Sequence, residues 1–238
     1  MTLQWEAAWQ AVIHHPLFGV AITLAAFQLS YAAYEKTRWV FLQPVLVSML
    51  LVIGVLLACG LAYEEYRASA QLLTVMLGPA TVALAVPLYL NLRRIRELFG
   101  PIMITLLVGG TTATALGMAL AWGFGTDRMI LMTLAPKSVT SPIAMLVAEQ
   151  IGGIVALAAV FVMITGILGA IFGPELLRLC GVQHPAARGM ALGLTSHAVG
   201  TAQALQESDE CGAFAALAMS LMGLLTAVLL PLAVSLLL

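Results

Sequence analysis

A single lysine lies among apolar residues in the stretch PKSVTSP, residues 136–142. Lys137 is followed there by three hydroxyl side chains, those of Ser138, Thr140 and Ser141. An ammonium group can serve as the counter-charge of an anion, and hydroxyl groups can donate hydrogen bonds to the same anion. Pro136 and Pro142 each lack a backbone donor and clash with the preceding helical turn, so the stretch predicts a broken helix.

The composition indicates that this break lies inside a membrane. Of 238 residues, 62% are hydrophobic and 9% are charged, whereas a soluble domain carries about 25% charged residues. The sequence contains six long runs without Asp, Glu, Lys or Arg. Two further apolar segments, 129–148 and 189–206, are shorter or interrupted. We therefore expect an all-α, multi-pass membrane bundle of about 7–8 segments, some of them broken or re-entrant. Each of the six runs exceeds the ~20 residues that a helix needs to cross a bilayer: 7–34, 39–63, 68–92, 98–126, 150–174 and 211–238.

Several function classes are excluded by what the sequence lacks. The net charge of −1 provides no basic surface for nucleic acid. The three cysteines are solitary, so neither a metal site nor a disulfide framework is expected. The start of the chain has no basic region typical of a cleavable signal. HExxH and GxSxG motifs are absent, and the adjacent Ser196 and His197 would point about 100° apart on a helix. We expect no enzyme activity and no cofactor.

A lysine at membrane depth is costly and marks a functional site by default. Non-helical backbone at that depth is tolerated only when it is buried in protein or lines a polar cavity. We therefore expect Lys137 to face such a cavity. The alternatives are that its ammonium group reaches the membrane surface or pairs with Glu149 or Asp127.

Charge placement favours a re-entrant element at 129–148. Basic residues concentrate in cytoplasmic loops, so EKTR, residues 35–38, puts the N-terminus outside. If 129–148 returns to the side from which it enters, Arg178 and Arg188 become cytoplasmic. The acidic stretch 207–210 then becomes external, provided that 189–206 crosses the membrane.

Part of the broken segment has a weak second copy. LGPATV, residues 77–82, aligns with LAPKSV, residues 134–139, which matches Pro79 with Pro136 and Thr81 with Ser138. Transporters are often built from repeats whose interrupted helices meet near the membrane midplane. The alignment predicts an internal repeat whose elements 77–87 and 134–142 approach each other, and it adds Pro79 and Thr81 to the candidate substrate site.

A third polar interruption, GLTSHAVGTAQA, covers residues 193–204. An imidazole ordinarily titrates near neutral pH, so His197 is a candidate for proton coupling. Glu149 is a second candidate for this role. The alternative for His197 is a hydrogen-bonded packing residue. The glycine patterns at 109–117 and 166–173 favour close helix packing. The interruption contributes four candidate substrate-binding residues: Ser196, His197, Gly200 and Thr201.

Four ordered motifs resemble the LrgB/CidB family, which includes YohK-type bacterial proteins. They are LGPATVALAVPLY (77–89), LAPKSVTSPIAM (134–145), GILGAIFGPELL (166–177) and ARGMALGLTSHAVGTAQAL (187–205). The resemblance covers residues 20–236 and implies a single membrane domain over the whole chain. It further implies a bacterial cytoplasmic membrane location and similarity to the membrane domain of the plant plastidal glycolate/glycerate transporter.

The resemblance leaves two functions open. The first is a secondary carrier of small monocarboxylates such as glycolate, glycerate or pyruvate, with the anion held at the broken helices. The second is a holin-like or antiholin-like protein that modulates murein hydrolase activity and cell lysis. The resemblance also implies a small membrane partner of the LrgA/CidA type. A homodimer is expected because carriers with moving transport domains often dimerise.

Overall fold

The computed structural model describes residues 9–37, 39, 42–83 and 85–237, without the side chains of residues 77, 81, 87 and 237. All regular elements within these ranges are helices, as the sequence predicts. The chain forms two compact units, residues 1–83 and 84–238. The assignment of the whole chain to a single domain stays a prediction.

The first unit contains four of these helices: α1 (Phe18–Thr37), α2 (Pro44–Cys59), α3 (Tyr63–Ser69) and α4 (Gln71–Ala83). Helix α2 begins where the Gln43 side chain accepts a hydrogen bond from the Leu46 N–H at 2.7 Å. It ends at Gly60, whose φ of 66° is the left-handed conformation that glycine adopts without strain. The chain then bends by 117° into α3. The Gly19 N–H donates to Ser69 Oγ at 3.0 Å, which joins α1 to the end of α3.

The second unit contains the remaining described helices, in the order α5 (Ala85–Leu90), α6 (Leu92–Glu97), α7 (Phe99–Ile104), α8 (Gly110–Gly123), α9 (Arg128–Leu134), α10 (Ser141–Gln150), α11 (Val155–Leu179), α12 (Pro185–Glu207) and α13 (Asp209–Leu237). A π-helical turn at Thr105–Gly109 makes α7 and α8 continuous. Such turns inside α-helices are frequent at functional sites.

The number of membrane segments differs from the sequence-based prediction. Among the described residues, three helices are long and apolar enough to cross a membrane: Phe99–Gly123, Val155–Leu179 and Asp209–Leu236. The bent pair α2 and α3 raises the number to four at most. The predicted 7–8 segments are therefore not confirmed. Hydropathy counts apolar residues, but it does not detect the points at which an apolar segment breaks or turns back.

The segment 128–154 turns back, as its prolines and charges predict. The Asp127 carboxylate caps α9 by accepting from the Ile130 N–H at 2.8 Å. Residues 135–140 are non-helical, and the Ile154 N–H donates to Thr133 Oγ1 at 2.8 Å. In a continuous helix these two residues would be about 31 Å apart along the axis. Residues 128–154 therefore form a helical hairpin, called here the first hairpin, whose tip is residues 135–140.

Helix α12 is also a hairpin. Its backbone leaves helical geometry at Ser196 (φ −123°, ψ 15°) and His197 (φ 41°, ψ −130°). Arg188 near its start nevertheless binds Glu207 at its end, with Nε to Oε2 at 2.7 Å. A straight helix would separate these two residues by about 28 Å, far beyond the reach of their side chains. Residues 185–207 are called here the second hairpin, whose tip is Ser196 and His197.

This second turn corrects two expectations from the sequence. Segment 189–206 does not run straight from one side to the other, although its apolar residues made it a candidate crossing. The stretch 207–210 lies at the same end as Arg188, because Glu207 is bonded to it. The charge argument placed Arg188 and this acidic stretch on opposite sides, and that placement is wrong.

The two hairpins extend from opposite ends of the second unit. They are joined by the 25 residues of α11, which extend over about 37 Å. Arg94 of α6 lies at the end that carries the base of the second hairpin, 3.2 Å from His184 and 3.9 Å from Glu210. Both tips reach one buried core, which contains Val139 of the first tip and Leu194 beside the second.

Candidate functional site

The Lys137 side chain projects from the first tip onto α8. Its Nζ donates to the backbone oxygen of Ala113 at 3.0 Å. A Cβ at Gly117, one turn further along α8, would lie only 2.8 Å from Nζ. The absence of a side chain at Gly117 therefore leaves the space that the ammonium group occupies. The sequence analysis predicted only close helix packing for the glycines at 109–117 and did not identify this role.

The described ion pairs do not include Lys137. Asp127 instead caps α9, and Glu149 is exposed near the far end of α10. The alternative of a structural pair with either carboxylate is therefore not seen in the described part of the chain. The ammonium group donates to a backbone oxygen, and the expectation that it faces a polar cavity stays a prediction.

The depth of Lys137 follows from its contact with Ala113. Ala113 lies within the candidate span Phe99–Gly123, 14 positions after its first residue and 10 positions before its last. At 1.5 Å per residue, Ala113 is about 21 Å from the first end and about 15 Å from the second. Lys137 is thus level with the middle of that span, where an unpaired charge is most costly.

Three other polar residues lie in or directly after the first tip. Ser138 is 5% exposed, and its hydroxyl makes no hydrogen bond to the described residues. Thr140 is the N-cap of α10 but its side chain does not cap the helix, and Ser141 is the first helical residue. The first N–H groups of a helix lack partners and attract negative charge. Lys137, Ser138 and Thr140 thus lie in the first tip and Ser141 begins the helix after it, and their role in binding a substrate stays a prediction.

The second tip is held against α11 by His197. Its Nε2 lies 2.9 Å from the backbone oxygen of Val162. A carbonyl oxygen only accepts, so Nε2 is the donor in this bond. Thr201 Oγ1 donates to the His197 oxygen at 2.8 Å. This geometry fits the hydrogen-bonded packing residue of the sequence analysis, and proton coupling through His197 stays a prediction.

The His197 backbone is strained. A φ of 41° lies in the left-handed region, which His197 alone occupies among the described residues other than glycine. Such conformations cost about 1–3 kcal/mol and persist when the surroundings enforce them. Here the surroundings are the bond to Val162 and the packing of the ring on Gly166. Strain of this kind concentrates at functional sites.

The glycines of α11 within residues 166–173 pack against the second hairpin. A Cβ at Gly166 would lie 2.6 Å from the His197 ring, and Gly173 faces Leu192 at 2.8 Å. Gly169 faces the Ser196 hydroxyl. The close packing predicted from this glycine spacing is confirmed. The sequence did not identify the second hairpin as the element against which these glycines pack, because the hairpin itself is known only from the structure.

Three other candidate residues belong to neither tip. Pro79 is exposed in α4 of the first unit, and the Thr81 side chain is outside the described residues. Glu149 lies eight residues after Ser141, about 12 Å along α10. The structure does not confirm the internal repeat, because Pro79 lies inside a helix whereas Pro136 lies in a non-helical tip.

Comparisons with known proteins identify relatives of this chain. The model of the LrgB-like family matches residues 23–236. The uncharacterized protein YxaC of Bacillus subtilis is 35% identical over 215 residues, covering 90% of this chain and 94% of that protein. The holin-like protein CidB of Staphylococcus epidermidis is 32% identical, covering 89% and 93%. The antiholin-like protein LrgB of Bacillus cereus is 29% identical, covering 91% and 94%. No solved structure matches significantly. These names agree better with the holin-like alternative than with a monocarboxylate carrier.

Proposed function

Because this chain belongs to the LrgB-like family, we propose that it is a holin-like membrane protein that modulates murein hydrolase activity and cell lysis. The observation that carries this proposal is its 32% identity to a protein named holin-like, over nearly the whole of both chains. Holin-like action requires that the protein alter the permeability of the membrane, alone or with a partner. A small membrane protein of the LrgA/CidA type is the partner that this proposal implies.

The second unit exposes an apolar face that suits contact with lipid or with another copy of the chain in the membrane. Helix α11 exposes large apolar side chains on one face, including Val160, Ile164 and Leu168. Its glycine face is occupied by the second hairpin, so further association would use the exposed apolar face. A homo-oligomer formed in this way would need no polar channel through a single copy.

Dye release tests the holin-like function. Purified protein is reconstituted into vesicles that contain a trapped fluorescent dye, alone and with a small LrgA/CidA-type protein. We expect dye release with a steep dependence on the ratio of protein to lipid. Vesicles that retain the dye at every ratio, with and without the partner, would contradict a lesion-forming role.

A second function, transport of a small carboxylate, is favoured by the environment of Lys137. Its ammonium group is level with the middle of a candidate span and has a backbone oxygen as its hydrogen-bond partner. A charged side chain at this depth is energetically costly, and its presence indicates a functional role. A carboxylate would supply the missing counter-charge, while the Ser138 hydroxyl and the first N–H groups of α10 would donate to its oxygens.

Uptake into vesicles separates the two functions. Labelled acids with two or three carbons, among them glycolate, glycerate and pyruvate, are offered to vesicles that also contain a trapped dye. A carrier accumulates an acid while the dye stays inside, and a lesion releases both. Absence of uptake for the whole panel, in vesicles that respond to a known carrier, would argue against carboxylate transport.

A further inference from the structure

We propose that the two hairpins are re-entrant segments that enter the membrane from opposite sides, the first from outside and the second from the cytoplasm. Each would then open one route to the Lys137 site. The access routes rest on the proposed carboxylate transport, but the re-entrant arrangement can be tested without it.

The opposite directions follow from the spans that adjoin the hairpins. The span Phe99–Gly123 ends next to the base of the first hairpin, which begins at Arg128. Helix α11 then leads from Ile154 at this base to the other end of the unit. The second hairpin both begins and ends there, because Arg188 binds Glu207. Helix α13 leaves from the same end.

Arginine placement assigns the two ends to the sides of the membrane. Arg128 lies at the base of the first hairpin. Five other arginines lie at the end that carries the second base: Arg93, Arg94, Arg96, Arg178 and Arg188. Arginine and lysine concentrate in cytoplasmic loops. The second hairpin therefore enters from the cytoplasm, and the first enters from outside.

The depth of each tip is set by the helix on which it rests. Lys137 contacts α8 at Ala113, about 15 Å from the nearer end of its span. His197 packs on Gly166, which is 11 residues from the start of α11 and 13 from its end, or about 16 Å from the start. Each hairpin thus reaches the middle of the bundle from one side only.

The second tip also has an open face. Ser196 and His197 are buried, whereas Thr195 and Ala198 on either side of them are exposed. The Thr195 hydroxyl donates to the Ala191 oxygen at 2.7 Å, so it is satisfied within its own helix. Its exposed position beside the buried residues makes Thr195 a suitable place for a reporter cysteine.

Labelling of single cysteines from each side tests the arrangement. The background carries Cys59→Ala, Cys180→Ser and Cys211→Ala, and a membrane-impermeant maleimide is added to intact cells or to inside-out vesicles. Phe124→Cys, just before the first hairpin, and Gln150→Cys, at the end of α10 near the base of that hairpin, should both be labelled from outside. Asp209→Cys and the restored Cys180, on either side of the second, should be labelled from inside. All four positions are exposed.

A split within either pair, with one cysteine labelled from each side, would overturn the re-entrant arrangement. The reversed pattern would overturn the assignment of the second hairpin to the cytoplasm. Thr195→Cys should react only from inside, and reaction from outside would contradict entry of the second hairpin from the cytoplasm. Because labelling needs no substrate, correct labelling without any acid uptake would refute transport while leaving the arrangement intact.

Discussion

Arg188 holds both carboxylate oxygens of Glu207, with Nε to Oε2 at 2.7 Å and Nη2 to Oε1 at 2.9 Å. The two side chains are 16% and 22% exposed, so the pair is partly shielded from water. The carboxylate raises the pKa of Arg188 above its ordinary value, chiefly through these hydrogen bonds. The pair closes the base of the second hairpin, 19 residues apart in the sequence.

Breaking this pair should open the base of the second hairpin. We expect Arg188→Ala to lower the free energy of unfolding by about 1–2 kcal/mol, because it leaves a partly shielded carboxylate without its bidentate partner. Thermal unfolding in detergent measures the change. Arg178→Ala is the matched control, since Arg178 pairs with Glu175 on the exposed surface of one helix and should matter little. The exchange of Arg188 and Glu207 should restore part of the loss, and equal effects of Arg188→Ala and Arg178→Ala would contradict this role.

Lys137→Met should abolish carboxylate uptake while the melting temperature holds or rises. The described part of the chain contains no carboxylate paired with Lys137, so the substitution removes a desolvated charge without stranding another. Lys137→Arg should also lose uptake, because a planar guanidinium is wider than the ammonium group beside Gly117. Uptake and melting are measured on the same preparations. Wild-type uptake by Lys137→Met would show that the lysine is not the counter-charge.

Gly117→Ala should reduce uptake with little loss of stability. The new Cβ would lie 2.8 Å from Nζ and 3.0 Å from Cε of Lys137, and this flexible side chain can move away at small cost. Gly123→Ala in the same helix is the control, since no atom outside its neighbours lies within 4 Å. Alanine there should leave uptake unchanged. If both variants transport alike, the space at Gly117 has no part in positioning the lysine.

The backbone strain at His197 predicts an order among its variants. His197→Gly relieves the left-handed φ of 41°, whereas His197→Ala keeps the strain; both lose the bond to Val162. We expect the glycine variant to be more stable than the alanine variant by about 1 kcal/mol. Chemical or thermal unfolding of the two proteins measures the difference. An alanine variant as stable as the glycine variant would mean that the backbone relaxes without the imidazole.

The sequence alone determined the class of protein and the position of the first break. Long uncharged runs predict membrane helices because water-soluble proteins rarely contain such long stretches without a charged residue. Two prolines around Lys137 predict the non-helical tip because each removes a hydrogen bond that a helix needs. The spacing of Gly166, Gly169 and Gly173 predicts close packing. All of these are local properties of the chain, so composition and spacing suffice to recognise them.

Only the tertiary structure decided that residues 185–207 turn back and that Gly117 makes room for Lys137. The polar interruption at 193–204 marks this region, but it contains no proline and does not show that the chain reverses at His197. Distant contacts enforce the turn, including the bond to Val162 and the pair of Arg188 with Glu207. A hydropathy pattern cannot distinguish a short crossing from two antiparallel arms, because both bury the same apolar residues. Partners far apart in the sequence leave no periodic signal, and their contact exists only once the helices are packed.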